Sequence, residues 1–113
     1  MAEKIALRMR ILMETQMYGT IFSLNIKIGH EEKLLALLNE EADSDKPEGM
    51  VGWFVMNPDA KDNWIGVAIF ESKEAYAANA NRPAQHESFL KMMEHLESEP
   101  EWTDGTYVIG EIG

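Results

Sequence analysis

The chain has 113 residues, 20 acidic against 10 basic side chains for a formal charge of −10, and no cysteine, while 45% of its residues are hydrophobic. That length suits one domain burying roughly two-thirds of the surface its unfolded form exposes. The acidity speaks against nucleic acid and anionic membranes as partners, and the missing thiols exclude disulfides, thiolate metal centres and a Cys nucleophile, in keeping with a reducing cytoplasm. No stretch approaches the ~20 apolar residues of a membrane span. Ile11, Leu12 and Met13, behind Lys4, Arg8 and Arg10, are too short a run for a secretory core.

Residues 1–17 differ from the rest and are expected to form an N-terminal arm, lying on this subunit or its partner, ahead of a domain over 18–113. Their period is open. Ile5, Leu7, Met9, Ile11 and Met13 alternate as in a strand, yet Ile5, Met9, Leu12 and Met13 also make a helical stripe. From Gly19 the alternation is clear, with Phe22, Leu24, Ile26 and Ile28 on one face of a first strand. After Gly29-His30, Glu31 and Glu32 suit the positive end of a helix dipole, and Leu34, Leu35, Leu37, Leu38 and Ala42 make the buried stripe. The polar, breaker-rich segment 44–49 ends this helix.

Met50 to Asn57 reads as a second strand and Trp64 to Phe70 as a third, and the short turn between them makes an antiparallel hairpin. Ser72 is placed to cap a second helix, which breaks near Asn79-Ala80-Asn81 because Pro83 belongs in the first turn of a new one. Phe89, Met92, Met93 and Leu96 form the stripe of that segment. Residues 97–102 read as an acidic loop, Asp104-Gly105 as a turn, and Thr106 to Ile112 as the last strand. The order is β-α-β-β-α-β, an α+β, ferredoxin-like fold with a four-stranded antiparallel sheet and helices on one face. The third strand is apolar on both faces, with Ile65, Val67 and Ile69 opposing Trp64, Gly66, Ala68 and Phe70. A homodimer packed through the open sheet face is the economical cover.

The phrases YGTIFSLNIKIGHEEKLLALL, GMVGWFVMNPD, IGVAIFESKEAYAANANRPAQHESF and EPEWTDG resemble the antibiotic biosynthesis monooxygenase family of the dimeric α/β barrel superfamily. The resemblance covers about residues 18–112. It implies a pocket for a flat or aromatic ligand between helices and sheet, and its members include cofactor-free quinol oxygenases and haem-degrading oxygenases. The haem-degrading members use an Asn on the first strand, with a Trp and a His in the second helical region. Counted without gaps, Phe22 stands where that Asn is expected, Asn79 where the Trp is, and Phe89 where the His is, with His86 about one turn away. Haem degradation is therefore disfavoured. Asn79, Tyr76, Trp53 and Arg82 are of the residue types that hold a quinol anion in the cofactor-free members.

His86 precedes Phe89, Leu90 and Met93 by three, four and seven positions, so it is placed to share their side of the helix and accept a substrate proton near neutral pH. The plainer reading is an exposed imidazole that caps or packs. Tyr76 and Asn79, three apart, could present a hydroxyl and an amide to one ligand; equally, they could be a core Tyr beside an Asn that ends the helix. His86, Asn79 and Tyr76 are thus the candidate catalytic residues, and Phe22, Trp53, Phe89 and Arg82 the candidate ligand-binding ones. His95 lies about half a turn from His86 in helical angle, and His30, at a helix start, reads as a cap, so no metal site is expected and no cofactor. Three functions stay open: a cofactor-independent monooxygenase of a small quinol-type aromatic, a non-catalytic ligand-binding or dimerisation module, and, disfavoured, a haem protein.

Overall fold

The protein is described over residues 16–113 by a computed structural model. The arm expected over 1–17 lies outside those residues except for its last two. The elements run β1 (Tyr18–Leu24), α1 (Glu31–Asp43), β2 (Met50–Met56), β3 (Trp64–Phe70), α2 (Lys73–Ala80), α3 (Pro83–Met93) and β4 (Glu101–Thr106). The four strands form one antiparallel sheet in the order β2-β3-β1-β4. This is the ferredoxin-like α+β layout read from the sequence. Among the described residues no helix is long and apolar enough to cross a membrane.

Period-two alternation decides which side of each strand is hidden. Leu24 of β1 is fully buried with Leu34 of α1 and Leu96 beyond α3, and Phe22, Val55, Trp64, Met92 and Met93 pack around them. Phe70, the buried end of β3, meets the ring of Tyr76 on α2 edge-on at 5.6 Å. The even positions of β1 and β3 therefore face the helices. Their odd positions lie on the opposite face, where the register aligns Phe54, Val67 and Ile21 in one row and Met56 and Ile65 in the next. That face is open: Phe54 is 68% exposed and Met56 56%.

The helix boundaries follow local chemistry. Ser72 Oγ accepts the Ala75 backbone N–H at 3.1 Å and caps α2, while Pro83 opens α3 in its first turn, where its missing N–H removes no helical bond. Gly49 precedes β2 at φ +80°, a conformation that disfavours a side chain. A Cβ there would also press on Ala75.

Two strands differ from expectation by more than one residue. β1 ends at Leu24 instead of continuing to Ile28, because the backbone beyond it changes partners. Asn25 C=O accepts from Glu97 N–H at 2.8 Å, Lys27 N–H donates to His95 C=O at 2.9 Å, and Ile26 forms an isolated bridge with Leu96. Ile26 still reaches the core, but Ile28 is 96% exposed. The last strand is Glu101–Thr106, so Asp104-Gly105 lies within it and not at a turn. Every residue of β4 is exposed, which leaves an edge strand no hydrophobic pattern to read. Edges also tolerate Gly, whose lack of a side chain weakens an interior strand.

Candidate functional site

An apolar cleft of about 610 Å³ lies beside the core, between α1 and the outer strand β2. Leu35, Leu38 and Ala42 form its helical wall, and Trp53, Val55 and Trp64 its sheet wall. The helical residues fall on one side because they recur at three and four positions. Asn39, Lys46 and Asn57 are the polar members of the lining. The Lys46 ammonium donates to the carbonyls of Ala42 and Ser44 at 2.9 and 3.2 Å. Both acceptors are neutral, so its positive charge stays available to an anion. A second hollow of about 690 Å³ lies across the end of the sheet, with Asn25, Glu31, Asp62 and Asn63 in its lining. Trp64 and Asn57 border both.

Of the residues singled out in the sequence, Trp53 alone lines the first cleft. Phe22 and Phe89 are brought together elsewhere, both against Trp102, with ring centroids 5.0 and 6.4 Å from its own. Trp102, whose residue type reads in the sequence as core or interface and not as a ligand platform, is the ring that joins them, and no hydrophobic alternation marks its exposed strand. Tyr76 packs against Tyr18 at 5.2 Å and donates its hydroxyl to Asp104 Oδ1 at 3.1 Å. Burial pushes its phenol above the usual value and the Asp104 carboxylate adds to this, while a Thr20 hydrogen bond works the other way. At neutral pH Tyr76 is therefore a proton donor, not a base.

Asn79 is buried, and its Oδ1 accepts from the Arg82 guanidinium at 2.9 Å. The two candidates satisfy one another across the break between α2 and α3. His86 is exposed in the first turns of α3, at the margin of a stripe whose inward members are Phe89, Met92 and Met93. Tyr76, Asn79 and His86 do not border the cleft.

His30 holds the N-cap position of α1 but makes no capping hydrogen bond. The expectation of a cap is corrected: its Nδ1 lies 3.1 Å from Nδ1 of His95 instead. Burial lowers the His30 pKa, Lys33, His95 and Lys27 lower it further, and Glu31 opposes them. The two histidines are 65 positions apart. A search for helical spacing could not have paired them, since it is the Ile26–Leu96 bridge and the backbone bonds flanking it that bring their segments side by side.

Neither a family model nor a curated protein matches the chain, but solved structures share its fold. A Chloroflexus aurantiacus protein whose name places it among the antibiotic biosynthesis monooxygenases is 22% identical, with TM-score 0.65, over 86% of this chain and 97% of its own. One from Nitrosomonas europaea with a name of the same kind is 10% identical, with TM-score 0.72, over 83% and 92%. A haem-degrading protein of Mycobacterium tuberculosis is 18% identical, with TM-score 0.65, over 88% and 99%. The chain therefore has the fold of the antibiotic biosynthesis monooxygenases.

Proposed function

We propose that the chain is a homodimeric, monooxygenase-type protein that takes a flat, electron-rich aromatic of the quinol class into the cleft between α1 and β2. The observation that carries this reading is the lining itself. Two indole-bearing residues and three aliphatic ones face one another across about 610 Å³, with a lysine and two amides in the same lining. That size and mixture are typical of a small-molecule site. Lys46 would meet the oxyanion of a deprotonated hydroxyl, and Trp53 and Trp64 would stack on the ring.

In the oxygenase reading the bound anion itself gives an electron to dioxygen, and the protein supplies orientation and a wall that excludes water. No cofactor is needed for that step. The like-named fold relatives support it. Binding without catalysis is the second reading, favoured by the separation of Tyr76, Asn79 and His86 from the cleft. Haem is not the ligand proposed, because His86 is exposed and Phe22 occupies the strand position that would carry the Asn. The homodimer would join the two open sheet faces, and the absence of cysteine fits a cytoplasmic setting.

Titrating 1,4-dihydroxynaphthalene under nitrogen should quench the tryptophan emission saturably. Admitting oxygen should then produce uptake above that of the quinol alone if the protein is an oxygenase. Quenching without enhanced uptake selects the binding reading, and unsaturable quenching removes both.

A further inference from the structure

The cleft leaves unexplained the pair of imidazoles at the other end of α1. His30 is fixed by the turn before that helix: its N–H donates to Lys27 C=O at 3.0 Å, and its C=O accepts from Leu34 N–H at 2.9 Å. His95 is fixed just as closely beyond α3, donating to Met92 C=O at 3.0 Å and accepting from Lys27 N–H at 2.9 Å. The two backbones are further tied by the Ile26–Leu96 bridge and by Lys27 Nζ, which donates to Glu94 C=O at 3.0 Å. Held this way, the rings turn nitrogen edges toward each other, with Nδ1 atoms 3.1 Å apart and centroids 5.3 Å apart.

Two metal–nitrogen bonds of about 2.0–2.1 Å at a cis or tetrahedral angle set their nitrogens roughly 2.9–3.4 Å apart. We propose that His30 and His95 form a two-histidine site for a borderline divalent cation, Zn²⁺ in the first instance, bound through both Nδ1 atoms. Imidazole nitrogen suits that ion, as it does Ni²⁺ and Cu²⁺. One Nδ1 carries the proton of the present hydrogen bond. On binding, that ring shifts its proton to Nε2, so both imidazoles stay neutral and both Nδ1 lone pairs face the metal. Among the described residues no third His, Cys, Asp or Glu completes a ligand cluster, so water fills the remaining positions and affinity is modest. Lys27 and Lys33 oppose the cation and Glu31 favours it, through the same charges that act on His30. The bound ion clasps the entrance of α1 to the segment leaving α3.

The test uses untagged full-length chain, stripped with chelator, titrated with ZnCl₂ by calorimetry and followed by ¹⁵N spectra of the histidine rings. One Zn²⁺ per chain is expected, with the Nδ1 signals of His30 and His95 moving and that of His86 unmoved. His30→Gln and His95→Gln should each weaken binding by at least roughly tenfold, the loss of one of two ligands, while Gln85→Ala should not. Thermal unfolding of the wild type should rise with Zn²⁺ by mass action, and that of either Gln variant should rise less at the same Zn²⁺ concentration. No binding by the wild type, or binding that survives in the double Gln variant, overturns the proposal. If a variant fails to fold, the wild-type ring spectra still decide.

Discussion

Gly66 of β3 stands directly opposite Phe22 of β1, and the phenyl ring lies where a Cβ on Gly66 would be. The missing side chain is what lets an aromatic lie flat across the neighbouring strand beneath the helices. Gly66→Ala should force the ring off its rotamer and lower stability by about 1–3 kcal/mol, the usual range for overpacking. Urea unfolding measures it. A near-neutral result would show that the ring can swing aside.

Tyr76 should ionise above the ordinary tyrosine range, mainly because it is partly buried and secondarily because of Asp104. A raised folded-state value means its stabilising contribution is complete below the unfolded value of about 10 and is lost as pH rises through the folded one. Asp104→Asn should lower the Tyr76 titration but not return it fully to the ordinary value, since burial persists. Absorbance at alkaline pH in a Tyr18→Phe, Tyr107→Phe background isolates the group. An unchanged titration in the Asn variant would refute the contact.

Ser72→Ala removes the acceptor for the Ala75 N–H. The loss should be about 1 kcal/mol, read as a lower unfolding midpoint with an unchanged denaturant slope.

For ligand binding, Lys46→Ala should weaken a quinol anion roughly three- to tenfold, as befits one solvent-exposed charged contact. It should leave an uncharged aromatic of the same shape unaffected. Trp53→Ala should weaken both. Equal losses in Lys46→Ala for the two ligands would mean the ammonium does not meet an oxyanion.

Val67 lies between Ile21 and Phe54 on the open face. Val67→Lys would bury an unpaired charge in any interface formed there. Light scattering should give a dimer for the wild type and a monomer for the variant. A monomeric wild type at micromolar concentration would remove the homodimer from the proposed function.

Much of the architecture was legible because its signals are local. Ser72 and Pro83 announce helix starts by backbone chemistry, and Trp64 to Phe70 matches β3 residue for residue. β4 was misplaced because its six residues are all exposed, and composition alone makes Asp104-Gly105 look like a turn. The site was legible only in part. Trp53 could be picked out as a mid-strand aromatic, but the opposite wall belongs to α1, whose leucines read simply as core. Leu35, half exposed, shows that stripe to be wider than the core requires. The His30–His95 contact depends on a two-residue bridge between distant segments. No spacing rule reaches that far.

β2 carries an irregularity between Met50 and Gly52: Met50 pairs with Phe70, and Gly52 with the very next residue, Ile69. Val51 is the surplus residue, and by absorbing it the strand keeps Met50 and Trp53 on one side although their numbers differ in parity. A deletion at Val51 would therefore leave the aromatic wall where it is. The loss of any single residue from Trp53 to Val55 would instead reverse the outlook of part of the strand, so tolerance to shortening in this hairpin should peak at the irregularity.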